Sequence, residues 1–230
     1  MLFVAAEARE FGGLLPYCAS VEKLDWPVEW ARLVKLKGKK IFLAANGAGR
    51  ERAAEAVDRL RPELPDLQGV VSTGFCGGLD PALKIGDVFV ATSIQWGGEL
   101  VPVCTPRSGL SFATGTLVTS DRVAQTAQEK RNLCSTGASA VDMEAAGVLS
   151  RVREWKKPFY CIRSVTDLAN ESFEIDFNAA RLADGRFSTS RILADALRRP
   201  MTAGPELLRL RNRCAAAAKT LGEFIADCSF

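Results

Sequence analysis

The chain has 230 residues, 47% of them hydrophobic and 25% charged, which is the composition of a globular protein with a sizeable core. Its net charge of +3 is too small to indicate nucleic-acid binding. Histidine is absent, which excludes Ser-His-Asp and Cys-His nucleophiles and every histidine-ligated metal site. Any acid–base catalysis must therefore use Asp, Glu, Lys, Tyr or Cys.

The seven cysteines include no Cys-x-x-Cys pair, and their number is odd. This pattern predicts reduced thiols in a cytoplasmic protein rather than a disulfide framework. No apolar run approaches the ~20 residues that a membrane-spanning helix needs. The N-terminal run Met1–Ala6 is short and is followed at once by Glu7 and Arg9, which argues against a signal peptide. We therefore expect no integral membrane segment.

In the first half of the chain, short apolar runs alternate with amphipathic ones. Strands are predicted at residues 2–6, 40–45, 69–73 and 85–91, with a further short strand around 32–36 in an otherwise irregular segment 16–38. A helix begins at Glu7 and loosens at Gly12. A second helix covers residues 51–61, where Ala53, Ala54, Val57 and Leu60 share one face at helical spacing.

In the second half the same alternation continues. Residues 95–112 are predicted to be loop with short strand pieces, and strands are predicted at 115–119, at the run ending in Asp142, and at 158–165. Helices are predicted at 121–133, after Glu144, at 188–199 and at 205–228, and residues 170–186 as a polar loop able to cover a site. This order predicts one domain over residues 1–230, with a largely parallel sheet and helices on both faces.

Two glycine-rich segments follow predicted strands. Asn46-Gly47-Ala48-Gly49-Arg50 could bring backbone amides close to an anion, but its spacing favours a tight turn between strand and helix. Gly74-Phe75-Cys76-Gly77-Gly78 has three glycines in five positions. A plain turn seldom needs three, so this segment favours a close backbone approach to a ligand.

Acidic residues stand at the ends of predicted strands. Asp142, Glu144 and Asp167 follow two apolar runs that we predict to be neighbouring strands, and Glu10 follows the first strand. Open α/β sheets bind ligands at these strand ends. Each acid alone could form a surface salt bridge. Together, and without histidine, they indicate a reaction that needs a proton donor and a bound diol or water but no nucleophilic side chain.

Arginines are concentrated near the C-terminus. Eight of them occur between residues 181 and 213: Arg181, Arg186, Arg191, Arg198, Arg199, Arg209, Arg211 and Arg213. They could bind a polyanion or a membrane surface, or they could form a solvated helix face with salt bridges. The low overall charge favours the solvated face.

Four segments together resemble the nucleoside phosphorylase/nucleosidase superfamily, which includes purine and uridine phosphorylases and methylthioadenosine/S-adenosylhomocysteine nucleosidase. They are Val4–Glu10, Asn46–Arg50, Ser72–Leu79 with Lys84–Val88, and Ala140–Ala146 with Pro158–Asp167, and they occur in the family's order. Residues 119–130 also resemble the hopanoid-associated phosphorylase branch, which acts on an adenosylated lipid. Residues 171–230 carry no comparable motif.

The resemblance implies a three-layer α/β/α domain with a central mixed sheet, a homo-oligomer, and cleavage of the N-glycosidic bond of a purine nucleoside. It implies that Asp167 protonates purine N7, Glu144 binds the ribose 2′ and 3′ hydroxyls, Met143 packs on the sugar and Glu10 orients the attacking water. Asp142 and the glycine-rich residues Gly74, Phe75, Cys76 and Gly77 are assigned to substrate binding. It implies no metal and no cofactor, with inorganic phosphate as co-substrate if the reaction is phosphorolysis.

Two departures from the family pattern bear on the reaction. Ser72 stands where the phosphorylases carry a phosphate-binding arginine, which favours water as nucleophile, although Arg50 or Arg52 near Gly47 could replace that arginine. Phe75 stands where nucleosidases have a small hydroxyl residue. The sequence therefore predicts hydrolysis first and phosphorolysis second. A non-catalytic nucleoside-binding protein is the third reading, and retention of all three carboxylates argues against it.

Overall fold

The computed structural model describes residues 1–182 and 187–230. In these ranges ten strands form one sheet: β1 (Leu2–Ala5), β2 (Ser20–Lys23), β3 (Trp30–Leu36), β4 (Lys39–Ala45), β5 (Val70–Gly78), β6 (Val88–Trp96), β7 (Glu99–Pro102), β8 (Ala113–Thr119), β9 (Ala140–Asp142) and β10 (Phe159–Asp167). The helices are α1 (Arg50–Leu60), α2 (Ala127–Cys134), α3 (Ala145–Glu154), α4 (Phe177–Ala180), α5 (Thr189–Arg198) and α6 (Ala203–Asp227).

The sheet is the middle of three layers, as predicted. Side chains alternate across β1, so that Leu2 and Val4 belong to the core under α1 and α3, whereas Phe3 packs in the core under α6 with Leu221 and Phe224. The predicted face of α1 is confirmed, since its alanines, Val57 and Leu60 are buried. No helix among the described residues has both the length and the apolar composition needed to cross a bilayer.

The expectation of a largely parallel sheet is wrong, and the mixed sheet implied by the resemblance is confirmed. Parallel pairs join β1 to β4 and β5, β5 to β10, β6 to β8 and β8 to β9, but five other pairs are antiparallel. Two of those five follow from two-residue hairpins. Lys37-Gly38 and Gly97-Gly98 both have positive φ, and such turns can only return the chain antiparallel.

The strands β5, β10, β6, β8 and β9 close on themselves, because β9 pairs with the end of β5. The prediction that β9 and β10 are neighbours is therefore wrong. Strand β5 pairs with both: Gly77 is opposite Val141 of β9 and beside Asp167 of β10. Glu144, just after β9, and Asp167, at the end of β10, still lie in one region, because the end of β5 lies between their strands.

Several predicted boundaries are wrong. The segment Gly74–Gly78 is not a turn but the second half of β5, and β6 covers Val88–Trp96 rather than 85–91. Helix α2 starts only at Ala127, where Thr126 and Glu129 form a capping box. After β1 the chain forms short 3-10 helices rather than one helix, and β2 lies in the predicted loop.

The predicted loop at 170–186 contains the short helix α4. Residues 183–186 of that loop, with Arg186, lie outside the described residues. Beyond them, the helices predicted at 188–199 and 205–228 correspond to α5 and α6, which begin at Thr189 and Ala203.

Candidate active site

Glu10 is a buried carboxylate held at the end of β1. It lies in a 3-10 helix, where its Oε2 accepts a hydrogen bond of 2.8 Å from the Glu7 amide and its Oε1 one of 3.0 Å from the Phe75 amide. Gly74 has φ of 139°, and a Cβ there would lie 2.5 Å from Glu10 Oε1. The glycine therefore makes room for a carboxylate of the same chain. Burial raises the pKa of Glu10 to about 7.

Glu144 lies at the start of α3 and contacts the first glycine-rich segment. The Gly49 amide donates to its Oε1 at 2.8 Å and the Met143 amide to its Oε2 at 3.3 Å. This contact depends on close helix packing, because a Cβ on Gly147 would lie 2.0 Å from the Arg50 carbonyl oxygen. Burial, and secondly the charge of Asp142, raise the pKa of Glu144 to about 8.

Asp167 at the end of β10 forms a buried ion pair. The Lys130 ammonium lies 2.6 Å from its Oδ1 and also donates to the Leu168 carbonyl at 2.8 Å. Lys130 itself is only 1% exposed. Burial raises the pKa of Asp167, and the lysine charge opposes this rise. A Cβ on Gly77 would lie 2.8 Å from Asp167 Oδ1, so this glycine also gives space to a carboxylate.

Arg163 is fully buried and connects strands β10, β5 and β9. Its guanidinium donates to Ser72 Oγ at 2.8 Å and to Asp142 Oδ2 at 2.5 Å. Asp142 also accepts from the Thr119 hydroxyl at 2.7 Å and from the Ala145 amide at 2.8 Å. With three internal donors, Asp142 holds β8, β9 and α3 together, and its substrate-binding role stays a prediction.

The residues proposed for phosphate also have internal partners. Arg50 lies 3.3 Å from Asp121 and 4.6 Å over the Trp96 ring, and Arg52 lies 2.5 Å from Glu29. The Gly47 amide donates to the Ala6 carbonyl at 2.8 Å. The phosphate-binding roles of Gly47, Arg50, Arg52 and Ser72 therefore stay predictions.

The remaining predicted residues lie around the three carboxylates. Met143 and Phe75 are half-buried, and Cys76 is buried with a thiol pKa raised well above its usual range by desolvation. Phe75 is opposite Ser164 of β10, and its amide is the Glu10 donor described above. The binding roles of Gly74, Phe75, Cys76, Gly77 and Met143 stay predictions.

Sequence reasoning missed Lys130, Arg163 and Thr119. Arg163 had a signal, because an arginine inside the apolar run Phe159–Val165 must be buried with a partner. Lys130 had none, since it stands among the polar residues of α2 like any solvated lysine.

A family model for the phosphorylase superfamily matches residues 31–103 and 103–198, well over half of the chain. The chain belongs to the phosphorylase superfamily. This superfamily comprises nucleoside phosphorylases and nucleosidases, so the protein is a member of an enzyme family.

Relatives within the superfamily agree with this assignment. A methylthioadenosine/S-adenosylhomocysteine nucleosidase of Staphylococcus aureus (strain bovine RF122 / ET3-1) is 24% identical over 174 residues, covering 63% of this chain and 75% of the relative. The Neisseria meningitidis nucleosidase of that name, solved with methylthio-immucillin-A, superposes with a TM-score of 0.71 at 20% identity over 98% of this chain and 96% of its own. Futalosine hydrolase of Helicobacter pylori gives 0.69 at 17% identity, over 98% and 95%. These superpositions establish the superfamily fold.

The position of Arg163 leads to a stability prediction. Arg163→Met should lower the free energy of unfolding by about 3–5 kcal/mol, because Asp142 loses its buried cation and Glu10 and Glu144 lose a nearby positive charge. Urea denaturation at pH 7 measures this loss. Removing the carboxylate as well, in Arg163→Met/Asp142→Leu, should restore part of it. A single variant as stable as the parent would contradict the proposed role of this ion pair.

Proposed function

We propose that this protein hydrolyses the N-glycosidic bond of a purine nucleoside of the adenosine type. The observation that carries the proposal is the set of three acids, Glu10, Glu144 and Asp167, each with a raised pKa and each held by backbone amides or a buried lysine. Perturbed carboxylates at the strand ends of this fold are candidates for catalysis. The nucleosidase relatives support the same reaction class.

Asp167 is the proposed acid at the base. Glycosidic cleavage passes through an oxocarbenium-like state, and a purine leaves far more easily as a neutral base than as an anion. A buried carboxyl group with raised pKa can carry the proton that N7 needs. In its ionised form, which forms as the pH rises through about 8, Glu144 would accept hydrogen bonds from both ribose hydroxyls, and its negative charge would stabilise the positive charge that grows on the sugar.

Glu10 is the proposed base for water. Its pKa of about 7 suits a group that must take a proton near neutral pH. Hydrolysis is favoured over phosphorolysis because Ser72 replaces the family's phosphate arginine and its hydroxyl accepts from Arg163. Arg50 and Arg52 are paired with Asp121 and Glu29, which also argues against a phosphate site. The proposed reaction needs no cofactor.

Lys130 is proposed as a positioning residue for Asp167. It makes two hydrogen bonds, to the Asp167 carboxylate and to the Leu168 carbonyl, and lies 5.2 Å from the centre of the Phe173 ring. These contacts hold the carboxylate in one orientation. The ammonium also favours the ionised acid, so it sets the pH above which the proton is lost.

A pH profile tests the role of Lys130. In Lys130→Met the pKa of Asp167 should rise, so the basic limb of kcat/KM should move to higher pH while kcat falls about ten-fold through lost positioning. Lys130→Arg keeps the charge and should keep the limb in place. A purely structural role would lower the amount of folded enzyme without moving the limb.

The function itself is tested with a panel of nucleosides. Purified protein is incubated with adenosine, inosine and methylthioadenosine in phosphate-free buffer, and free base is measured by chromatography. We expect adenine release from an adenosine-type nucleoside. If no nucleoside loses its base with or without phosphate, while adenine or methylthioadenosine still raises the melting temperature, the protein binds nucleosides without cleaving them.

A homo-oligomer and a cytoplasmic location stay predictions. The homo-oligomer is supported by the exposed Trp96, which borders a cavity of about 360 Å³ lined also by Ile94, Val101 and Leu149. Apolar surface of this kind marks interfaces. Light scattering of the purified protein gives the oligomeric mass.

A further inference from the structure

Helix α5, the turn that follows it and the first turns of α6 expose large apolar side chains. The exposed fractions are 54% for Leu193, 71% for Leu197, 87% for Met201 and 59% for Leu208. Leu193 and Leu197 are four residues apart and therefore lie on one side of α5. Exposed apolar side chains that cluster in this way mark interaction surfaces.

These exposed side chains are not needed to hold the two helices together. A neighbouring side of α5 packs with α6 in a small separate core, where Ile175, Ala196 and Ala203 are buried and Ile192 and Leu207 are half-buried. Both sides of the α5 helix are thus apolar in part, but only one side is covered within the described residues.

Positive charge surrounds the exposed apolar side chains. Residues 187–213 contain six arginines and two acids, a net charge of +4 that exceeds the +3 of the whole chain. Three arginines pair with acids, through Arg199–Asp195, Arg209–Glu206 and Arg213–Glu171. The other three, Arg191, Arg198 and Arg211, are exposed and form no ion pair with a described acid.

We propose that this surface, the exposed side of residues 191–211, docks the protein onto an anionic bilayer. The leucines and Met201 would enter the headgroup region, and the arginines would bind lipid phosphates. An anionic bilayer accounts both for the exposed apolar side chains and for the arginines around them. A nucleic acid would use the arginines but leave the leucines in water. The solvated helix face favoured by the overall charge accounts for the arginines but not for the exposed leucines and Met201.

The docking surface is connected to the candidate active site. Glu206 at the start of α6 accepts hydrogen bonds from the amides of Glu174 and Ile175, and Phe173 lies next to Lys130. On the other side, Arg181 donates to the Asp121 carbonyl and lies against Gly49. Docking would therefore bring residues 173–181, which border the candidate active site, to the lipid surface.

Vesicle flotation tests the proposal on the full chain. We expect the protein to float with vesicles of equal parts phosphatidylcholine and phosphatidylglycerol, and to stay behind with phosphatidylcholine alone. Leu193→Gln/Leu197→Gln should weaken binding at least about ten-fold. Arg191→Gln/Arg198→Gln/Arg211→Gln should weaken it about a hundred-fold, since each arginine near such a surface contributes about five-fold.

Matched variants elsewhere control for lost apolar surface and lost charge. Val21→Gln/Leu110→Gln removes two exposed apolar side chains, and Lys23→Gln/Lys40→Gln/Lys219→Gln removes three exposed cations. Both should bind like the parent, and unchanged melting temperatures verify folding of every variant.

Three results would overturn the proposal. The first is no binding to anionic vesicles, or equal binding to neutral ones. The second is an equal loss of binding in the control variants. The third is a lower oligomeric mass of Leu193→Gln/Leu197→Gln in light scattering, which would make a second copy of the chain the occupant of this surface.

Discussion

Replacing Asp167 by asparagine should lower the rate of base release from the preferred purine nucleoside about a thousand-fold, which is within the range contributed by a general acid. The amide can still accept from Lys130 and contact the base, but it has no proton to give to N7. Because the shape and the lysine contact are kept, KM should change little compared with kcat. The expected loss of kcat comes from the missing carboxyl proton alone.

Steady-state kinetics with chromatographic detection of the free base measure the effect. Asp66→Asn, an exposed acid outside the site, should leave the rate unchanged. An Asp167→Asn enzyme that keeps near-normal turnover would remove Asp167 from the mechanism. A loss confined to KM would assign it to binding instead.

Glu10→Gln should lower hydrolysis by a similar factor, again about a thousand-fold, since the amide cannot take a proton from water. The glutamine oxygen can still accept from the Phe75 amide, but the glutamine NH2 group then faces the Glu7 amide, which loses its acceptor. Because the side chain keeps its shape and one of its two contacts, affinity for an unreactive nucleoside analogue should fall much less than the rate. In the parent enzyme the rate should rise with pH between about 7, where Glu10 ionises, and about 8, where Glu144 ionises.

The same substitution should change how stability depends on pH. A carboxyl whose pKa is raised from 4.5 in the unfolded chain to about 7 in the folded protein stabilises the fold fully below about pH 4.5, and this contribution is lost as the pH rises through about 7. Glu10→Gln should remove this part of the slope between pH 5 and about 8, and Glu22→Gln, an exposed acid, should not. An unchanged slope in Glu10→Gln would contradict the burial argument.

The fold layers and the site region could be predicted because they depend on local signals. Apolar runs such as Leu2–Ala5 and the helical spacing in α1 specify strands and a buried helix face. Glu10, Glu144 and Asp167 could be singled out because each follows such a run. Their roles came from the resemblance to the superfamily.

What could not be predicted depends on contacts between distant segments. Gly74–Gly78 has the composition of a turn, but β9 and β10 supply hydrogen bonds on either side and make it a strand. The closed arrangement of the five strands depends on which strand β9 pairs with, and the sequence Ala140–Asp142 does not specify that pairing. Lys130 contacts Asp167 only because α2 lies against the end of β10.

In the proposed reaction water, and not phosphate, attacks the sugar. The direct measurement is to give the enzyme its best adenosine-type nucleoside in buffer with and without saturating phosphate, and to identify the sugar product by mass spectrometry. We predict equal rates of adenine release in both buffers and a free sugar as product. A rate that depends strictly on phosphate, with a sugar 1-phosphate as product, would contradict hydrolysis and would make Arg50 and Arg52 the candidate phosphate ligands.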